Sequence, residues 1–317
     1  MISKVIIWGH KLHSHTHSYI HYAFFKTFQS LNIDTIWLDN TDNINLNTDN
    51  AFFITEGQVD EKIPINPKAY YLLHNVKYDK YNAIPNNHKL CLQVYTNTCH
   101  RYKIKAYPHR KNTYYNDDCL MTMWATDLLP PEIKKNMKNI DNLNKISNES
   151  LHTYFIGMTL SKWDIFRKWC RKNNITYHAT GGFGNKNISC EENQNLIQQS
   201  IIAPALQDDW QINNEYIPCR IFKNISYGKM GITNNKAVYE LFNHQVLYDT
   251  DLNKLFDSSL NFIKKHEHLK VLKKLMKDVY LNHTYLNILG SIFWHFRKIK
   301  KNDIFPNFKQ VIKHFYE

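Results

Sequence analysis

VIIWGHKLHSHTHSYIHYAFFKTFQSLNIDTIWL, residues 5–38, reads as strand, loop, helix, strand. Residues 5–8 are an unbroken apolar run closed by Gly9, the pattern of a strand buried on both faces. A polar, histidine-rich loop follows. Residues 19–31 carry apolar side chains at helical spacing, and residues 35–38 form a second apolar run. The rhythm continues outward. Runs at 51–55, 69–73 and 90–95 read as further strands, the first two ending at Glu56-Gly57 and His74-Asn75. Strands separated by helical or loop segments predict a parallel α/β sheet. Residues 121–124 read as its last strand.

Residues 130–150, PPEIKKNMKNIDNLNKISNES, are polar and poor in apolar side chains, and read as a linker. The pattern then restarts. Strands are expected at 153–156, 176–179, 201–205, 231–233 and 246–248. Helices are expected at 161–173 with Ser161 as N-cap, 190–200, 218–227 and 235–242. From residue 251 the chain is mostly helical. This predicts two Rossmann-like α/β domains, 1–135 and 150–290, with a C-terminal helical tail, 291–317, packed back on the first.

Composition agrees with that size. The chain has 317 residues, enough for about two domains. With 43% hydrophobic and 14% aromatic residues it is not disordered, and 9 Gly and 9 Pro exclude collagen-like and low-complexity classes. No apolar run approaches the roughly 18 residues of a membrane-spanning helix. The N-terminal apolar run is too short for a signal peptide, so a cytoplasmic location is expected. Cys91, Cys99, Cys119, Cys170, Cys190 and Cys219 include no CxxC pair and read as reduced.

Ligands of open α/β sheets bind at the carboxyl ends of strands. The candidates are therefore the polar residues just after strands: Gly9 and the histidines to His17, Glu56, His74, Gly157, and the segments 206–220 and 233–235. No GxGxxG or GxxxxGK[ST] follows a first strand, so dinucleotide and P-loop chemistry lack support. In residues 208–235, Arg220, Lys223, Asn224 and Tyr227 fall at i, i+3, i+4 and i+7, one helical face. Ile221, Phe222 and Ile225 occupy the other. If the second face packs, the first presents cation and amide donors. Thr233, Asn234 and Asn235 precede the next helix, whose first N–H groups form an anion site. The combination suits a diphosphate; an ordinary charged surface helix has the same periodicity.

The run Arg220-Ile-Phe222-Lys223-Asn-Ile-Ser-Tyr-Gly228, with the strand and polar turn after it, resembles the C-terminal half of GT-B glycosyltransferases. The similarity is strongest to the bacterial and viral group related to spore-maturation-type transferases. His283-Thr284-Tyr285 is similar to that group's H-T-Y motif, and Trp124-Ala-Thr-Asp-Leu looks like the end of a GT-B N-terminal domain. The resemblance implies a GT-B-like fold and a glycosyltransferase of polysaccharide biosynthesis. The N-terminal domain would bind a glycan or glycolipid acceptor, and the C-terminal domain a sugar nucleotide, UDP- or GDP-linked. It implies no cofactor and no metal. Arg220 and the amides at 233–235 would take the diphosphate, and Glu215 the transferred sugar. His15 or His17 would act as base or positioner. Lys223 departs from the pattern, standing where wider retaining families carry a second carboxylate. No nucleic-acid partner is expected with the transferase reading; the basic tail makes a basic nucleic-acid-binding protein the alternative, and it leaves a peripheral membrane contact open.

HxHxH after a first strand, here His13-Ser-His15-Thr-His17, also begins metal-dependent amidohydrolases and PHP phosphoesterases, whose imidazoles ligate zinc-like ions. His266-Glu267-His268 lies in a lysine-rich helical stretch, and the sequence shows no convincing further ligands. Asp249-Thr250-Asp251 is a DxD, but Asp251 is placed to cap the helix that follows.

Overall fold

The structure, a computed structural model, describes residues 1–11, 16–94, 104–145, 151–157, 161–180, 188–265 and 267–317. The chain divides into two compact units: unit 1, Met1–Met123 with Tyr285–Glu317, and unit 2, Trp124–Thr284.

Unit 1 begins with β1 (Lys4–Trp8), α1 (Thr16–Ser30), β2 (Thr35–Leu38), β3 (Ala51–Glu56), β4 (Tyr70–His74) and β5 (Lys89–Gln93). β6 (Lys105–Ala106), β7 (Tyr114–Tyr115) and β8 (Cys119–Met121) follow. They form one sheet in the order β2-β1-β3-β4-β5-β8-β7-β6. The first six strands in that order are parallel; β7 and β6 are antiparallel additions. Val5 to Trp8 are wholly buried, as covering on both faces requires. α1 buries Ile20, Ala23, Phe24, Thr27 and Phe28, the i, i+3, i+4 stripe read from sequence. The last parallel strand ends at Met121 rather than running to Trp124. Met123 and Trp124 are buried, but burial is not ladder pairing, and the register with β5 stops at Gln93 and Met121.

Unit 2 opens with α2 (Pro130–Lys138) and α3 (Ile140–Leu143). The stretch read as a linker is therefore helical over its first two thirds. Its polarity misleads because few side chains are covered: Ile133 and Ile140 are fully buried. Pro130 opens α2, and the Glu132 carboxylate accepts from the Leu129 N–H at 2.7 Å.

The rest of unit 2 contains β9 (Leu151–Ile156), α4 (Ser161–Lys172), β10 (Ile175–Thr180), α5 (Cys190–Gln199), α6 (Asp209–Asn213) and α7 (Cys219–Ser226). Then come β11 (Ile232–Thr233), α8 (Lys236–Leu241), β12 (Leu247–Tyr248), α9 (Leu252–Ile263) and α10 (His268–Asn282). β10 pairs β9 and β11 pairs β12, both parallel. Residues 201–205 run extended between the pairs. Ile201 N–H donates to His152 O at 2.7 Å, and Ala205 N–H to Ile232 O at 2.8 Å. The order is thus β10, β9, 201–205, β11, β12. Asp251 caps α9, accepting from Asn253 N–H and Lys254 N–H, as the sequence predicts.

Two further helices complete unit 1, α11 (Tyr285–Lys298) and α12 (Phe308–Val311). Phe293 packs against Phe28 and Phe52, and Phe296 against Phe52 and Tyr70. The aromatic residues interleaved with the basic tail are thus core. Among the described residues no helix is long and apolar enough to cross a membrane.

Candidate functional site

In unit 1 the order of strands reverses between β1 and β3, which puts the ligand crevice of such a sheet at their carboxyl ends. β1 leads into Gly9, at φ +87°, where a Cβ would lie 2.1 Å from Val59 Cγ2. Only glycine fits there. His10 follows at φ +59°, a left-handed conformation that costs a non-glycine residue roughly 1–2 kcal/mol. The turn aims its ring at β3. His10 Nε2 donates to Glu56 Oε2 at 3.0 Å, and both side chains are buried. Gln58 N–H donates to the same oxygen at 3.0 Å.

Three more imidazoles surround this pair. His21, on α1, donates from Nδ1 to Gly9 O at 2.9 Å, where Trp37 Nε1 also donates. His74, the last residue of β4, donates from Nδ1 to Leu92 O at 2.8 Å, and its Nε2 accepts from Asn75 Nδ2. His17, in the first turn of α1, stacks on His10 with ring centroids 5.2 Å apart and lies 5.4 Å from His74. One ligand atom from each of His10, His17 and Glu56 lies within 4.8 Å of the other two.

Burial sets the electrostatics. It lowers His21 to about 3, helped by His10, and lowers His74. His17 is lowered by burial and by the neighbouring imidazoles against the pull of Glu56. For Glu56, burial works toward a higher pKa. The hydrogen bonds from His10 and Gln58 and the adjacent imidazoles outweigh it, and the net shift is downward. Near neutral pH an ionised carboxylate is therefore accompanied by His17, His21 and His74, whose imidazoles have little tendency to take a proton. His17 is a weak base there. His15, its alternative from sequence, lies outside the described residues.

In unit 2 the reversal falls between β9 and residues 201–205. β9 leads into Gly157, at φ +136°, where a Cβ would come within 2.7 Å of Arg220 Nη2. Arg220, half-buried on α7, uses that gap. Nη2 donates to Ile156 O at 2.9 Å, and the guanidinium lies over the Phe155 ring at 4.5 Å. Burial lowers its pKa; the groups opposing this are the Cys219 thiol and the Tyr216 and Tyr177 phenols. Among the described residues no carboxylate forms an ion pair with it.

The other residues of the α7 face do not point outward. Lys223, Asn224 and Tyr227 are buried. Lys223 Nζ pairs with Asp127 at 3.4 Å, Tyr227 Oη donates to both Asp127 oxygens, and Asn224 Nδ2 donates to Ala203 O. The spacing is helical as read, but unit 2 covers both faces of α7, so the donors serve the interior. The turn at 233–235 is likewise occupied. Asn235 Oδ1 accepts from Ala237 N–H, and Thr233 Oγ1 accepts from Asn235 N–H. Asn234 and Gln207 exchange two hydrogen bonds. Of the amides expected to meet a diphosphate, that of Asn235 thus already has an acceptor. Glu215 is exposed in the turn after α6, at φ +51°.

The sequence already put Glu56 and His74 beside the histidine loop as strand-end candidates; the residue it missed is His21. His21 stands four residues after His17 on one helical face, which is a legible signal. Glu56 and His74 are brought in by strand pairing, which no local spacing reports. His283 and Thr284 are structural: the His283 ring stacks on Phe222 at 4.6 Å, and Thr284 bridges Thr126.

No protein-family model matches the sequence, and no curated protein sequence matches it. Solved structures do. An alpha-glucosyltransferase, described in complex with UDP and a 13-mer DNA containing an HMU base, superimposes with a TM-score of 0.55 at 8% identity, over 94% of this chain and 100% of that one. An alpha1,3-fucosyltransferase gives 0.46 at 11% identity, over 95% and 90%. At such identities the first correspondence is one of fold, and the second carries no weight. The α/β class with a GT-B-like pair of units and closing helices, expected from sequence, is the fold found.

Proposed function

We propose that the protein is a glycosyltransferase that moves a sugar from a nucleoside diphosphate, UDP- or GDP-linked, to a hydroxyl of a glycan or glycolipid. The observation that carries this reading is Arg220, a half-buried cation with no ion-pair partner among the described residues, at the reversal point of the unit 2 sheet. Breaking a sugar–phosphate bond builds negative charge on the departing diphosphate, and a preorganised guanidinium stabilises it. Unit 1 supplies the acceptor side. The acceptor hydroxyl must lose a proton, and the carboxyl edge of the unit 1 sheet, with the Glu56 carboxylate and its imidazoles, is where that hydroxyl would sit. His17 positions the hydroxyl as a hydrogen-bond acceptor, and Glu215 is assigned to the transferred sugar. The glucosyltransferase-like fold supports this reading over that of a metal-dependent hydrolase.

The test is a thermal-shift panel of sugar nucleotides on the intact protein, followed by calorimetry on Arg220→Ala. A native-state ligand raises the melting temperature by mass action. The expected result is a shift with one nucleotide series that is reduced in the variant. No shift with any sugar nucleotide would overturn the reading.

A further inference from the structure

We infer that the carboxyl edge of the unit 1 sheet holds one divalent transition-metal ion of the zinc class, ligated by His10, His17 and Glu56. This goes beyond sugar transfer, which by itself calls for no ion in unit 1, and it can be tested with neither donor nor acceptor present.

The geometry is that of a small cation site. The three side chains come from three elements: the turn after β1, the first turn of α1, and the end of β3. One ligand atom from each lies within 4.8 Å of the others. His10 Nε2 and Glu56 Oε2 are already 3.0 Å apart. A tetrahedral ion with bonds of about 2.0–2.1 Å sets its ligands roughly 3.3 Å apart, so that edge is nearly formed. The proton now shared along it has a place to go: as Nε2 turns its lone pair to the ion, the neutral ring carries its proton on Nδ1.

The surroundings fix the ligands as metal sites require. Gln58 N–H holds the Glu56 oxygen. Gly9 O, which closes the turn carrying His10, is held by His21 and Trp37. His74, anchored to Leu92 O, backs the His17 ring. The left-handed His10 backbone is the kind of strain that persists where a side chain must be aimed. Two imidazoles and one carboxylate suit zinc or a neighbouring first-row ion. Magnesium and calcium prefer all-oxygen sets. Three protein ligands leave a fourth position for an oxygen, from water or a hydroxyl.

The experiment uses the full chain, stripped with chelator and dialysed. Zn²⁺ is titrated by calorimetry, and Co²⁺ by the visible absorption that reports a four- or five-coordinate site. The expected result is one ion per chain at micromolar affinity or tighter, unaffected by millimolar Mg²⁺. His17→Ala and Glu56→Gln should each weaken binding at least tenfold, while His244→Ala, an exposed histidine in unit 2, leaves it unchanged. Melting curves show which variants are folded. Glu56→Gln keeps the side-chain shape, and the wild-type stoichiometry needs no variant at all. Absence of binding tighter than millimolar, or equal affinity in folded His17→Ala, would overturn the inference.

Discussion

Unit 1 and unit 2 set their first five extended segments in the same order, 2-1-3-4-5, yet their reversal points have opposite character. In unit 1 the crevice holds one ionised carboxylate together with His17, His21 and His74, whose pKa values burial lowers. In unit 2 it holds a guanidinium stacked on an aromatic ring. Topology decides where a ligand can bind, and the side chains after each strand decide which ligand. Each crevice also depends on a glycine at the end of its first strand. Gly9 makes room for Val59 and Gly157 for Arg220, so equivalent positions shape two unlike sites.

The contrast breaks most visibly at Glu56. Glu56→Gln preserves shape but removes the charge, and turnover should fall by about 10²–10⁴-fold with nucleotide affinity unchanged. His17→Ala should act in the same direction with a smaller loss. Steady-state rates beside calorimetry read both. Loss of nucleotide affinity in either variant would erase the division of labour between the units.

Arg220→Ala should weaken nucleoside diphosphate binding by roughly 1–3 kcal/mol, the scale of a charged hydrogen bond. Arg220→Lys should recover little, because an ammonium cannot keep both the stack on Phe155 and the fork toward Ile156 O. Gly157→Ala sharpens the point without touching the cation. Its methyl would displace Nη2 and should reduce nucleotide affinity by less than Arg220→Ala. Unchanged affinity in a folded Arg220→Ala would remove the guanidinium from the donor site.

The smallest effect concerns a second buried cation of unit 2. Lys229 Nζ donates to Leu143 O, and burial lowers its pKa from 10.5 to about 8. A depressed lysine destabilises the fold fully below pH 8, where both states are charged. The penalty is relieved as pH rises through 8 to 10.5, because the unfolded chain then binds more protons. Relative to wild type, Lys229→Met should therefore look more favourable at pH 7 than at pH 10. A difference on the order of 1 kcal/mol is expected. Paired melting curves at the two pH values measure it, and a pH-independent difference would show that Lys229 does not titrate as described.

Most strands of unit 1 were legible because an all-apolar run bounded by polar residues has few other fates. Val5 to Trp8 and Ala51 to Ile54 are examples, each buried throughout. The capping role of Asp251 was legible for a similar reason, since its partners lie two and three residues away. The helical face of α7 was legible in spacing but not in direction. Nothing local says that Asp127, nearly a hundred residues earlier, receives Lys223 and Tyr227. Helices α2 and α3 were hidden because so few of their side chains are covered. The histidine cluster was half legible: the loop announces itself, while Glu56 and His74 reach it only through the pairing of β1, β3 and β4.

Unit 1 is completed by α11, which is synthesised after the whole of unit 2. Unit 2 is continuous and can fold as soon as it emerges. Phe28, Phe52 and Tyr70 have no Phe293 or Phe296 to pack against until then. At roughly 5–20 residues per second, that leaves an aromatic face of the nascent chain uncovered for about 10–30 s. The interval invites chaperone capture, and it makes stop codons downstream of residue 284 far more damaging than the short peptide they remove would suggest.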